Sequence, residues 1–204
     1  METVKTSAGE NYLTESEEKQ LFKHLSQLNT KQAQRDLVIL KTYRLLALRR
    51  VEGTRLNVGD VWKRQRLVVD ERIAAKGATG MLDIAVERQR VLADFFKKKR
   101  QWGESLDNDA PLFVSRLGKR LTIRSINNIL DKWLKLADIE HEITPHGLRN
   151  TKAQRIIRDE RFLTPDQQRR GLQLANRQLR HKSMNSTMIY TAPSREDMAA
   201  VAGI

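Results

Sequence analysis

The chain contains no cysteine. That absence excludes a disulfide framework and any thiolate metal site, and it makes a reducing compartment the natural setting. No apolar run approaches the roughly 20 residues that a membrane-crossing helix requires, and the acidic, polar start of the chain is unlike a secretory signal. Internal repeats and low-complexity linkers are missing as well. These absences leave a soluble, cytoplasmic protein of 204 residues, 39% of them hydrophobic, which suffices for one core in one globular unit.

Carboxylates are in short supply. Asp and Glu number 25 against 38 Lys and Arg, a net charge of +13. The imbalance is uneven: residues 1–20 carry two lysines and five glutamates, whereas Thr144 to Tyr190 holds ten Lys or Arg against three Asp or Glu. A field of this sign gathers phosphate backbones and releases their counterions, so nucleic acid is the leading partner.

Residues 1–12 lack apolar periodicity and read as an acidic tail. Thr14 stands three before Glu17, a capping-box spacing that opens a helix with Leu21, Leu25 and Leu28 on one face. A second helix follows Thr30; its centre, LVILKTYRLLAL, is apolar on nearly all sides and is expected to be buried. A short helical turn around Glu52 is expected to end before Asn57 and Gly59. Between Val61 and Val86 the pattern turns to LVVDERIAA, KGATG and MLDIAV, the signature of a small antiparallel sheet. Helices resume with VERQRVLADFFKKKR, break at DNDAP, and restart near Thr122, Pro145 and Thr164-Pro165. The expected class is mainly α with one small antiparallel sheet (α+β).

Two short patterns bear on chemistry. In TPHGLRNT, His146 and Arg149 are three apart, and a helix starting at Pro145 sets both on the face of its first turn, where free N–H groups favour an anion. Taken alone, such a pair is a common capping or surface arrangement. The overlapping HEITPH has its histidines five apart with a proline between them, which excludes the zinc-protease pattern. In HKSMNSTMIY, Tyr190 follows His181 by nine positions. Arg49 lies at the end of the buried helix, where a guanidinium needs a partner; Glu52 can supply one, or the charge is held for a ligand. Lys76 occupies a glycine-flanked turn between two strands.

The order of these pieces, LALRRVEGTRLNVGDV, a Lys-Gly turn, PHGLRNT and LRHKSMNSTMIY, resembles the catalytic domain of the tyrosine recombinases over about residues 13–192. The resemblance implies that Arg49 is the first catalytic arginine with Glu52 as its acidic support, Lys76 the lysine of the β-turn, His146 and Arg149 the central pair, His181 the second histidine and Tyr190 the nucleophile. It implies a site-specific recombinase that cuts and rejoins strands through a 3′-phosphotyrosyl intermediate in integration, excision or inversion. No metal or nucleotide cofactor is implied. The implied partners are double-stranded DNA, a homotetramer on synapsed DNA, and accessory DNA-bending proteins. A type IB topoisomerase-like relaxase and a non-catalytic basic DNA-binding protein are the alternatives.

Departures from the family pattern are Ala47 and Arg180, where glycine is usual, Asn150, where histidine is usual after the central arginine, and an expected insertion, RDERFLTPDQQRR, between Arg149 and His181. Family members usually carry a helical DNA-clamping domain ahead of the catalytic one, and here about 13 residues precede the first helix. The chain is therefore a fragment or is similar to the small single-domain fimbrial invertases, with Met1 favouring the short form. Residues 193–204 are expected to form a tail in which Met198, Val201 and Ile204 give a short helix an apolar edge for docking in trans.

Overall fold

The computed structural model describes residues 11–62, 64–84, 86–159, 161, 164–192 and 201. Its first helix, α1 (Glu15–Gln27), opens on the capping box read from the sequence: Thr14 Oγ1 accepts from Glu17 N–H, and the Glu17 carboxylate takes Thr14 N–H at 2.8 Å. Helix α2 (Lys31–Leu46) follows, with Ile39, Leu40 and Tyr43 fully buried, and then the short α3 (Arg50–Arg55) and α4 (Val58–Val61). A Cβ at Gly53 would fall 2.2 Å from Tyr43 Cζ, so glycine alone lets α3 press onto α2. That contact fixes where α3 begins, and α3 begins at the site.

Strands β1 (Arg66–Val69) and β2 (Gly80–Asp83) pair antiparallel, Arg66 opposite Asp83 and Val69 opposite Gly80. Alternation puts Leu67 and Leu82 into the core and leaves Val68 and Met81 outside. Then come α5 (Val86–Gln101), α6 (Ile123–Leu136), α7 (Pro145–Ile157), α8 (Pro165–Leu179), α9 (Asn185–Met188) and a 3-10 turn, Ile189–Thr191. Thr122 and Thr164 cap α6 and α8 through their hydroxyls, and proline occupies the first turn of α7 and α8, as the sequence indicates. The main core runs from Leu21 and Leu25 through α2 to Phe95, Leu130, Trp133 and Leu148. A separate small cluster gathers Ala47, Ala153, Leu179 and Tyr190.

The structure adds to the sequence-based expectation in three places. The helical turn around Glu52 ends at Arg55, before Asn57 and Gly59 as expected, and a further short helix, α4, starts there, with Asn57 N–H on Asp60 Oδ2 at 2.7 Å. Asn11 and Tyr12, expected in the tail, belong to the body: Tyr12 is buried, and Asn11 Oδ1 accepts from Thr144 N–H at 3.2 Å. The segment RDERFLTPDQQRR supplies the cap of α7, a linker and the first turns of α8, although residues 160, 162 and 163 lie outside the described residues. The helix expected over Met198 to Ile204 also falls outside them, apart from an exposed Val201. Among the described residues no helix is long and apolar enough to cross a membrane.

Candidate active site

Two helix ends meet at the candidate site. Helix α2 stops at Ala47 and α8 at Arg180, and both residues take left-handed backbone with φ of 51°. These are the two positions where glycine is usual in the family pattern, and a left-handed residue without Cβ ends a helix without strain. At α8 the closure is a Schellman motif: Arg180 N–H bonds to Arg177 O at 3.1 Å and His181 N–H to Asn176 O at 3.2 Å. His181 is thereby fixed as the second residue beyond the helix. At α2, Ala47 N–H and Leu48 N–H both return to Tyr43 O, and Arg49 follows as the cap of α3.

Arg149 joins the two ends. Its side chain is fully buried, one terminal nitrogen donating to Ala47 O and the other to Leu179 O. The guanidinium thus fills the space between two helix C-termini, whose free carbonyls and dipoles favour a cation. Its direction differs from the sequence-based expectation, in which Arg149 faced the N-terminus of its own helix. No carboxylate among the described residues forms a salt bridge with it. Burial, and then the charges of Arg49 and Arg180, pull its pKa down to about 9, so it remains charged at neutral pH.

Arg49 is held differently. Glu52, fully buried, takes Arg49 N–H at 2.8 Å and Arg49 Nη1 at 3.1 Å, which is the pairing weighed from sequence. The same carboxylate takes Arg180 Nη2 at 2.5 Å. Burial alone would raise its pKa; the charge of Arg180 and the bonds and charge of Arg49 outweigh burial and hold it below the ordinary value. Lys76 stands exposed on the ten-residue connection between β1 and β2, in a turn closed by Ala78 N–H on Ala75 O at 3.2 Å. Both central residues have positive φ, 54° at Lys76 and 65° at Gly77. The turn borders one cleft with Arg49, Arg50, Arg55 and His146.

His146 rides the first turn of α7, exposed at that cleft; desolvation by its neighbours, then Arg149, Arg49 and Arg50, lowers its pKa. His181 Nδ1 lies 3.0 Å from Thr187 Oγ1, and its ring is nearly parallel to that of Tyr190, tilted 16° with centroids 6.4 Å apart. Burial, then Arg149 and Arg49, brings His181 down to about 4, so it is neutral at pH 7. Tyr190 is buried on the small cluster and donates to Asn150 Oδ1 at 2.7 Å. Burial raises its phenol, and the charge of Arg149 opposes that shift.

The fold therefore gathers Arg49, His146, Arg149, His181 and Tyr190 into one electrostatic unit with Lys76 on its rim. Asn150 was visible in the sequence only as a departure, and its bond to Tyr190 gives that departure a structural role. Thr187 carried no sequence signal. A cleft rich in fixed cations beside a phenol suits nucleophilic attack on a phosphodiester, because charge that builds on phosphate oxygens meets donors already in place.

A sequence profile described as the phage integrase family matches residues 11–197. The chain belongs to that family. The tyrosine recombinase XerC of Shewanella amazonensis is 28% identical over 170 residues, which is 83% of this integrase-family chain and 52% of the relative. XerC of Pelotomaculum thermopropionicum is 29% identical over 204 residues, covering 93% and 60%. The crystal structure of the XerA recombinase shares the fold, with a TM-score of 0.73 at 24% identity over 97% of this chain and 66% of that one. This integrase-family chain spans about half the length of the curated relatives it matches.

Proposed function

We propose that the protein is a site-specific DNA recombinase that cleaves and rejoins strands through Tyr190. The observation that carries this reading is Arg149, a buried cation bonded to two helix ends and free of any salt-bridging carboxylate among the described residues, set beside Arg49, two histidines and a tyrosine. Tyr190 Oη attacks phosphorus and the phosphorus–O5′ bond breaks. The phenolic proton passes to His146, and Lys76 protonates the departing O5′. Arg49 takes the charge on the non-bridging oxygens, the buried charge of Arg149 supports it from beneath, and His181 adds a donor. The products are a 3′-phosphotyrosyl strand and a free 5′ hydroxyl, and attack by another strand's hydroxyl reverses the step.

The reading extends to partners. Each chain carries one such tyrosine, and exchange between two duplexes requires four cuts, so four copies act on synapsed double-stranded DNA in the cytoplasm. Accessory DNA-bending proteins would bring the duplexes together. Family membership favours strand exchange over both a relaxase and a non-catalytic binder.

The test uses duplexes recovered from random DNA by binding selection on the full chain, nicked on one strand so that the cut fragment diffuses away. Wild-type protein is expected to become linked to a 3′ phosphate in excess EDTA, the two arginines standing where other phosphoryl-transfer enzymes use a metal clamp. Tyr190→Phe is expected to bind these duplexes and form no adduct. Adduct formation by Tyr190→Phe, or its strict dependence on a divalent ion, would overturn the reading.

A further inference from the structure

We propose that Arg180, which stands where the family pattern has glycine, is a positioning residue that fixes the Lys76 turn relative to Arg49 and His181. The inference rests on the recombinase reading above and names a residue for that same site.

Three contacts carry it. Arg180 Nη2 bonds to Glu52 Oε2 at 2.5 Å, the carboxylate that also holds Arg49. Its Nε donates to Ala78 O at 3.3 Å, the residue that closes the Lys76 turn. Its stem crosses the first residue of β2, where a Cβ on Gly80 would lie 2.9 Å from Arg180 Cδ. The far side of the turn meets the same carboxylate, Ala75 N–H reaching Glu52 Oε1 at 3.5 Å. The turn is therefore tied at both ends to the Glu52–Arg180 pair, and only Lys76 and Gly77 project.

The covalent path is as short as the through-space one. Arg180 directly precedes His181 and follows Leu179, whose carbonyl holds Arg149. One guanidinium thus links the end of α8, the support of Arg49 and the lysine turn. A mobile lysine reaches a leaving oxygen only part of the time, whereas a turn pinned at both ends keeps its ammonium in range. Glycine at 180 would satisfy the left-handed φ but supply none of these ties.

Arg180→Gly is the test, since φ of 51° suits glycine and keeps the end of α8 unstrained. Adduct formation is followed in single turnover on nicked duplexes with oxygen or sulfur at the bridging 5′ position. A thiolate, with a thiol pKa of about 8.5, departs without a proton donor. Arg180→Gly is expected to be slowed by about tenfold or more on oxygen-bridged DNA and to recover most of the loss on the sulfur-bridged strand, as Lys76→Ala does, while Arg49→Ala recovers nothing. Arg180→Gln, which keeps a donor for Ala78 O without the charge, is expected to fall between and serves if the glycine variant does not fold. A slowed, unrescued Arg180 variant beside a rescued Lys76→Ala overturns the proposal and puts Arg180 at the non-bridging oxygens. An undiminished rate in both Arg180 variants overturns it as well. If Lys76→Ala itself is not rescued, the acid role of Lys76 fails, and this proposal fails with it; adduct formation through Tyr190 stands apart from that outcome.

Discussion

At the scale of single residues, a hydrogen-bond relay reaches His181. Asn176 Nδ2 donates to Ser183 O at 3.1 Å and to Thr187 Oγ1 at 3.1 Å. Thr187, having accepted there, has its own proton to give, and His181 Nδ1 lies 3.0 Å away. When Thr187 gives that proton to Nδ1, the neutral ring carries its hydrogen on Nε2, the arrangement a donor to phosphate needs. Thr187→Val keeps the shape of this buried side chain and removes the hydroxyl. Nδ1 then loses this partner, and adduct formation is expected to slow by roughly tenfold or more with DNA affinity unchanged. An unaltered single-turnover rate would show that the ring orders itself. The histidine and tyrosine were legible because their order along the chain is distinctive. Thr187 was not, because its role exists only once α9 folds back onto the end of α8, and Asn150 acquires its partner only when Tyr190 is buried over α7.

At the scale of elements, the starts of helices were legible and one tertiary helix was not. Thr14, Thr122, Pro145 and Thr164 act within their own first turns, so local sequence is enough to place them. Helix α4 depends on a distant segment: Val58 N–H bonds to Ala110 O at 2.9 Å, Gly59 N–H to Asn108 O at 3.0 Å, and Leu112 N–H returns to Leu56 O at 2.9 Å. The DNDAP stretch reads as a plain break in sequence and serves here as a backbone partner. Helix ends show a third behaviour. Helix α6 closes in a full Schellman motif, with Asp138 N–H on Lys135 O, Ile139 N–H on Leu134 O at 3.0 Å, and buried Leu134 and Ile139 on either side of an exposed Asp138 at φ of 51°. Asp138 has a Cβ penalty and no packing to offset it, unlike Ala47, whose methyl is fully buried in the small cluster. Asp138→Gly is therefore expected to stabilise the fold by about 0.5–1 kcal/mol, the relief of left-handed strain exceeding the entropy glycine adds to the unfolded chain. A lower midpoint in urea for Asp138→Gly would contradict this account. The same change at Ala47 loses a buried methyl worth about 0.8 kcal/mol and is expected to be nearly neutral.

At the scale of the whole molecule, the part of the +13 net charge that meets a DNA backbone without rearrangement is the part not already bonded internally. Around the cleft, most cations are engaged. Arg49 and Arg180 share Glu52, Arg149 sits between two helix ends, and Arg55 Nη1 donates to Ala74 O at 2.8 Å in the lysine loop. Arg50 is exposed on the same cleft and forms no salt bridge among the described residues. Its side chain is therefore available to displace a counterion from a DNA backbone without first breaking an internal bond. Each phosphate neutralised contributes about 0.9 to the slope of log affinity against log salt. Arg50→Ala is expected to flatten that slope by about one, and to weaken binding by the same factor on selected and unselected duplexes, since a backbone contact reads no sequence. Binding titrations across a range of salt on both kinds of DNA check this. A slope that stays at the wild-type value would mean that Arg50 meets no phosphate. A loss confined to the selected duplex would mean that it reads bases, and the cleft would then choose its target as well as hold it.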